Sequence, residues 1–380
     1  MKTAKLRRRV HVTWSTEPRW RAALLLPWLL LRCFLVSPSE TFLYLYRGWS
    51  RFGFDVLRRF YVDAELIALR PQLIHFEFGS LAAGRMYLKD LLDCKVICSF
   101  RGYDLNYVGL ETADYYAEVW TKADALHFLG DALWRCAQRR GCPPGKTHVL
   151  IPPTIDCNSF GDASRRHAEV VGIPKRPLRI LSVGRLEWVK GYEYGLQAVK
   201  LLVEQGLCCE YRIIGDGKEI ETIAFARHQL GLEDEVEFAG ARPRADVLTS
   251  MLWADVFLHP AVSEGFCNAA LEAQAMRLPV VCTDAGGLPE NVLDDETGFV
   301  VPRRNARALA DKLSLLAQDA QLRQRLGEAG CKRAQTHFCL EDQVSSFERL
   351  YQRVLMSEVV TAERSRDPQM LPAAQNLEKR

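Results

Sequence analysis

The sequence predicts an α/β protein built of two doubly wound parallel-sheet domains that face one another across a cleft. Three observations carry that expectation. From about residue 72 onward, short apolar runs alternate with longer segments of helical period, the rhythm of strand–helix–strand units. The apolar runs fall into two series separated by a polar, irregular stretch. Glycines and charged residues follow directly after strands of the second series, where open α/β sheets bind ligands.

Taken in order, the first series places strands at 73–76, 95–100, 125–128 and 148–151 and ends near Pro152 and Pro153. Residues 156–177, polar and irregular at both ends, are the expected linker region. The second series places strands at 178–183, 210–214, 236–239, 256–259, 279–282 and 298–300. A last helix is expected over 340–356, and the tail from about Ser365, polar with prolines, is expected to be disordered. The domains then run over 1–160, 161–340 and 341–380, the last being helix and tail. The first domain departs from its type. A strand with a glycine-rich turn should open it, yet no glycine precedes Gly48, so the first strand is either irregular or missing.

With 48% hydrophobic and 26% charged residues, the 380-residue chain can bury two cores of ordinary size. Fifty basic against 47 acidic residues leave a formal charge of +3, far from the footprint of a nucleic-acid binder, so no nucleic acid is expected as partner. None of the 12 cysteines forms a CxxC pair, which removes a zinc ribbon or a thioredoxin-like motif. Cys94, Cys98, Cys208 and Cys209 lie in apolar, core-like stretches, a pattern of free thiols that points to the cytoplasm.

Near the N-terminus, a basic opening from Lys5 to Arg9 precedes an apolar run over 22–36, broken by Pro27 and Arg32. A membrane span takes roughly 20 apolar residues, so this run is too short. Leu35-Val36-Ser37-Pro38 is a poor signal-cleavage site. Two readings stay open. One is a helix lying on the inner face of the membrane, with Arg19, Arg21 and Arg32 near phosphates and Trp20, Trp28, Leu29 and Phe34 at the acyl boundary, its basic face diluted by Glu17. The other is an ordinary core helix with a basic flank.

Two segments carry chemistry. The first is Ser182-Val183-Gly184-Arg185-Leu186-Glu187-Trp188-Val189-Lys190-Gly191, between a strand and a helix. Glycine lets the backbone approach a ligand, and the Arg fork and Lys point charge suit a diphosphate. The second is Ser263-Glu264-Gly265-Phe266-Cys267-Asn268-Ala269-Ala270-Leu271-Glu272-Ala273, whose two carboxylates stand near a helix start. Free amides there favour an anion, while a carboxylate such as Glu272 matches the two hydroxyls of a ribose or caps the helix.

Gly184-Arg185-Leu186 with Lys190-Gly191, then Gly215-Asp216-Gly217, the Glu264-to-Glu272 frame, and Asp284-Ala285-Gly286-Gly287-Leu288-Pro289-Glu290 resemble, in this order, the motif set of family 4 retaining glycosyltransferases, the glycosyl transferases group 1. The resemblance covers roughly residues 70–350. It implies two Rossmann-like domains in the GT-B arrangement, a nucleotide diphosphate sugar as donor substrate, no cofactor and no required metal. It implies further that Gly184, Arg185 and Lys190 hold the diphosphate, Glu272 the ribose, and Glu264 the face of the donor sugar. Gly265, Phe266, Cys267 and Asn268 would bring backbone amides to sugar and phosphate, and Gly215 and Gly217 would lie on the nucleobase side. Cys267 stands where the family more often has glycine.

In the first domain, Ser99-Phe100-Arg101-Gly102-Tyr103-Asp104 stands where many members carry His-Gly-x-Asp, so Arg101 takes the histidine's place. Arg101 donates hydrogen bonds but cannot exchange a proton near neutral pH, which makes its expected catalytic role electrostatic. Asp104 and His75 are expected on the acceptor side, His75 alternatively as a structural residue at a strand end. No residue stands out as a covalent nucleophile, and no Asp-x-Asp motif sits at an expected strand end to hold a metal. The expectation is therefore front-face transfer to a sugar, glycan or lipid-linked acceptor. An epimerase or hydrolase on the same fold and a subunit that only binds sugar nucleotides are the rivals.

Overall fold

The computed structural model describes residues 19–155 and 176–366. The Lys5 to Arg9 opening, Glu17, most of the expected linker and the end of the tail lie outside the described residues, as do the side chains of Arg19 and Ser365.

All ten expected strands form, each within a residue or so of its expected bounds. They are β1 (Leu73–Phe76), β2 (Lys95–Phe100), β3 (Ala125–Phe128), β4 (His148–Leu150), β5 (Leu178–Val183), β6 (Cys209–Ile214), β7 (Val236–Gly240), β8 (Val256–His259), β9 (Val280–Thr283) and β10 (Gly298–Val301). Every pairing is parallel. The first sheet runs β1-β2-β3-β4, laid down in chain order; the second runs β10-β9-β8-β5-β6-β7. In the second sheet the chain winds outward from β5 to β7, then crosses back and winds the other way from β8. That reversal puts a switch point between β5 and β8, where loops leave in opposite directions and open a crevice at the strands' carboxyl ends.

Parallel strands covered on both faces read as continuous apolar runs, because successive side chains go to opposite cores. Ile180, Tyr211, Ile213 and Leu258 enter one core of the second sheet, while Leu181, Ile214, Phe257 and Cys282 enter the other. In the first sheet Val96, Cys98 and Phe100 face a large core, and Ile97 and Ala125 face a smaller one closed by Leu350 and Val354. Those two closing residues come from the last helix, which runs ten residues past its expected end, over Leu340–Arg366, and packs back on the first sheet. Cys94, Cys98 and Cys209 are buried free thiols, whereas Cys208 is exposed.

Ahead of β1 the described residues form no strand; the chain makes three helices, α1 (Arg19–Val36), α2 (Pro38–Phe52) and α3 (Asp55–Leu69). Proline at N1 starts α2, where its missing N–H costs nothing. Gly48 makes no turn: it lies inside α2, and a Cβ there would meet Val56 Cγ2 of α3 at 2.4 Å, so glycine lets the two helices close. Arg32 is paired within the fold, its Nη1 donating to Glu65 Oε1 at 2.5 Å on α3. Leu29 is fully buried in the first-domain core. Among the described residues no helix is long and apolar enough to cross a membrane. Four further helices position the site: α4 (Gly102–Asn106), α5 (Asp131–Arg139), α6 (Asn268–Ala275) and α7 (Leu288–Asn291), with the last helix as α8.

Candidate active site

Three turns of the second domain meet at the switch point. After β5, the Gly184 N–H donates to Ile214 O at 3.0 Å, which holds the turn beside the end of β6. Gly215, at φ +151°, comes so close that a Cβ there would stand 1.9 Å from Gly184 O, and one on Gly217 would stand 2.3 Å from Leu186 O. The two glycines expected on the nucleobase side thus have a packing reason: only a bare backbone lets one turn lie on the other.

β8 ends at His259, and the chain brings Glu264 back to it five residues later. His259 Nε2 donates to Glu264 Oε2 at 3.0 Å, and Lys190 Nζ donates to the same oxygen at 2.5 Å. Gly286, at φ +55°, and Gly287 hold the Glu264 backbone from behind, the Gly287 N–H donating to Glu264 O at 3.2 Å. Burial alone would raise the Glu264 carboxyl, but the His259 hydrogen bond and the Lys190 charge outweigh it and hold the group at about 2. Burial would lower His259, yet Cys267 and Glu264 beside it lift the imidazole to about 9, so it is a cation at neutral pH. His259, Glu264 and Cys267 place their ligand atoms within 4.8 Å of one another, a donor set of the kind that holds zinc. Here the Lys190 ammonium already supplies a cation to that carboxylate.

Sequence reasoning passed over His259. Its signal was position: a lone histidine at the carboxyl end of a switch-point strand, just ahead of Glu264. The sequence motifs assign Lys190 to a diphosphate and Glu264 to a sugar; the fold pairs them. Arg185 is 71% exposed and its Nη1 donates to Glu187 Oε1 at 2.7 Å, so both cations rest on carboxylates.

Four amides were expected to face the donor, and two are already engaged. The Gly265 N–H donates to Glu264 Oε1 at 3.2 Å, and the Cys267 N–H to Asn291 Oδ1 at 3.0 Å, while Asn291 Nδ2 returns a bond to Cys267 O at 3.1 Å. The Phe266 and Asn268 amides have no acceptor among the described residues. They stand at the start of α6, where the helix dipole adds positive potential. Glu272 lies one turn inside α6, half-buried, with its carboxyl raised by burial and partly drawn back by Arg244. Its side chain has no hydrogen-bond partner among the described residues.

The acceptor-side expectation for Asp104 is corrected, and of the two readings of His75 the structure takes the structural one. Asp104 is fully buried, its Oδ1 accepting from Ser80 N–H and its Oδ2 from Arg101 N–H, both at 2.9 Å. It caps α4 and turns no oxygen toward an acceptor. His75 has both ring nitrogens taken, and the tautomers follow from one carbonyl. His127 Nε2 lies 2.8 Å from Ile151 O, which only accepts, so that nitrogen carries the proton. His127 Nδ1 then accepts from Ser99, Ser99 Oγ accepts from His75 Nε2, and His75 Nδ1 accepts from the Tyr351 hydroxyl, at 2.7, 2.7 and 2.8 Å. Burial favours the neutral rings, lowering His75 and holding His127 at about 4. His75 ties the first sheet to α8. Arg101 sits at the N-cap of α4, its Nη2 donating to Glu77 Oε2 at 2.8 Å.

The domains touch beside Glu264. A Cβ on Gly102 would lie 2.8 Å from the Gly265 backbone, and one on Gly265 would lie 2.7 Å from Gly102 Cα, so two bare backbones form the contact. Glu290, on α7, accepts from the Asp131 and Ala132 amides at 2.9 and 2.8 Å and thereby caps α5 of the other domain. Asn106 Nδ2 donates to Ser263 Oγ at 3.2 Å across the same seam. A cleft of about 320 Å³ opens there, lined by Asn106, Leu133 and Arg139 from the first domain and by Ser263, Glu264 and Arg303 from the second.

Two parallel-sheet domains closed on a crevice at the second sheet's switch point define the GT-B architecture, and solved structures share it. HepE of Anabaena, crystallised in complex with UDP, superposes with a TM-score of 0.67 at 17% identity over 76% of this chain and 80% of its own. Residues 164–333 match the model of the family described as glycosyl transferases group 1, and the chain resembles that family. The putative colanic acid biosynthesis glycosyltransferase WcaL of Escherichia coli K12 is 32% identical over 257 residues, 65% of this chain and 61% of its own length. The amylovoran biosynthesis glycosyltransferase AmsK of Erwinia amylovora is 30% identical over the same shares. The chain thus spans about three-fifths of the length of these curated relatives.

Proposed function

We propose that the chain transfers a sugar from a nucleotide diphosphate donor to a sugar, glycan or lipid-linked acceptor, keeping the anomeric configuration and needing no metal. One observation carries the reading: Lys190 is bonded to Glu264 at the switch point, the open Phe266 and Asn268 amides follow at the start of α6, Arg185 stands exposed in the turn after β5, and the half-buried Glu272 carboxylate lies one turn into α6. Cations and amides suit a diphosphate, and an unbonded carboxylate suits the two hydroxyls of a ribose. The names of WcaL and AmsK, both biosynthesis glycosyltransferases, support sugar transfer, and the UDP in the HepE crystal supports a nucleotide donor.

The chemistry follows from charge. As the bond between the anomeric carbon and the diphosphate oxygen breaks, negative charge grows on the leaving group, where Arg185, Lys190 and the α6 amides offset it. Positive charge grows on the sugar, where the ionised Glu264 carboxylate favours it. The acceptor hydroxyl oxygen forms the new bond from the leaving-group side, and its proton passes to the departing phosphate oxygen. Closure at Gly102 and Gly265 keeps water from the same carbon. Incubation with a panel of nucleotide sugars, followed by product analysis, tests the reading. Slow donor hydrolysis without acceptor and transfer with it are expected; an isomerised donor, or binding without turnover, would overturn it.

A further inference from the structure

We propose that α1 and α2 form a docking face for an anionic lipid surface. The reading stands independently of sugar transfer. α1 is apolar on both sides. Its inner side buries Leu29 and Cys33 in the first-domain core, with Leu25, Leu26 and Leu30 packed around them. On its outer side Trp20, Leu24, Trp28, Leu31 and Leu35 are between 51% and 76% exposed. At 3.6 residues per turn these five fall within an arc of about 80°. A helix with one side in a core carries polar residues on the other when water covers it. This arc carries none.

The next helix, packed on α1, carries an exposed aromatic row of its own. Phe42, Tyr46 and Trp49 recur at helical spacing on α2, and all three are at least half exposed. Phe42 stacks on Tyr46 at 6.0 Å, and Trp49 meets Phe54, which is 80% exposed, edge-on at 4.8 Å. Single exposed apolar residues need no explanation, but a run of them along two packed helices marks an interaction surface. Tryptophan and tyrosine at its edges suit the headgroup layer, where one end of the ring is apolar and the other wet.

Charge selects a lipid surface as the occupant. α1 has no acidic residue, and exposed Arg21 borders its apolar arc. In sequence, the residues before α1 include Lys2, Lys5, Arg7, Arg8 and Arg9 and the single acid Glu17. Basic side chains beside an apolar helix face are the combination that holds an amphipathic helix on anionic lipid. Arg32, toward the inner side of α1, pairs with Glu65 and sets its guanidinium 5.8 Å from the Trp28 ring. No helix among the described residues can cross, so the face lies on the bilayer.

The full chain is sedimented with phosphatidylcholine vesicles prepared with and without phosphatidylglycerol, alongside the triple variant Trp20→Ser, Trp28→Ser, Leu31→Ser and the control Phe225→Ser, which removes an exposed ring of the second domain. Wild type and control should bind the phosphatidylglycerol vesicles, with blue-shifted tryptophan emission and weaker binding at high salt. The triple variant should keep its circular dichroism and lose binding by at least about tenfold, since its three side chains carry the apolar contact. Equal sedimentation of wild type and folded triple variant would overturn the proposal. So would a wild-type dimer that ignores vesicles and that the triple variant dissolves, for the face would then belong to a second copy of this chain. No sugar nucleotide enters the assay, so failure of the transfer reading leaves the result unchanged.

Discussion

Replacing Glu264 with glutamine should destabilise the second domain by about 3 kcal/mol at pH 7. The carboxyl titrates at about 2 against an ordinary 4.5, and that interval, at about 1.4 kcal/mol per pH unit, is the stability its ionised form contributes through His259 and Lys190. Glutamine keeps the shape and loses the charge, leaving two cations facing each other in a largely buried site, with side chains 4% and 15% exposed. For a domain of this size the loss reads as roughly 6–12 °C in melting temperature. The sign fixes the pH course. Because the folded value is depressed, the contribution is complete above 4.5 and is lost as pH falls towards 2, so the gap between wild type and variant should narrow over that interval. Thermal melting of both proteins from pH 7 down to pH 3 measures it. A gap below about 2 °C at pH 7, or one that does not change with acid, would refute the buried ion triad. Turnover measured on the same preparations separates the proposed catalytic role: the rate should fall further than donor affinity does.

His259 is raised to about 9 from 6.5, so its contribution is complete below pH 6.5 and lost as pH rises through 9; His259→Gln should flatten the fall in melting temperature across that window. Arg185→Ala and Lys190→Ala should each weaken donor binding by about 1.5–3 kcal/mol, read by calorimetry, and unchanged affinity in both would remove the proposed diphosphate site. A chelator should leave turnover intact, whereas loss restored by manganese would count against the metal-free reading. Gly102→Ala puts a Cβ 2.8 Å from the Gly265 backbone, which should hold the domains apart and lower turnover at least about tenfold while donor binding to the second domain persists; full turnover would show that the observed closure is not needed for reaction.

Strands could be read from the sequence because a parallel strand covered on both faces needs no partner to reveal itself: Val96-Ile97-Cys98 and Val256-Phe257-Leu258 are continuous apolar runs in any context. Residues 19–69 carry no such local sign. Their helices are held by contacts distant in sequence, such as Arg32 with Glu65 and Tyr44 with Asp63, and Gly48 serves the packing of α2 on α3. The candidate site divides the same way. Glu264 and Lys190 stood out as residue types, but their pairing spans 74 positions and exists only because the chain reverses between β5 and β8. The Asp104 cap is three residues from its partner and lay within reach of sequence rules for helix starts. The partner that decides His75, Tyr351, stands 276 positions away on α8. A polar side chain at a strand end declares that it needs a partner, and the fold alone decides whether a substrate or a distant helix supplies it. That is why the groups bonded by neighbours in sequence were open to local rules, while the acceptor-side assignments depended on a helix that returns from the far end of the chain.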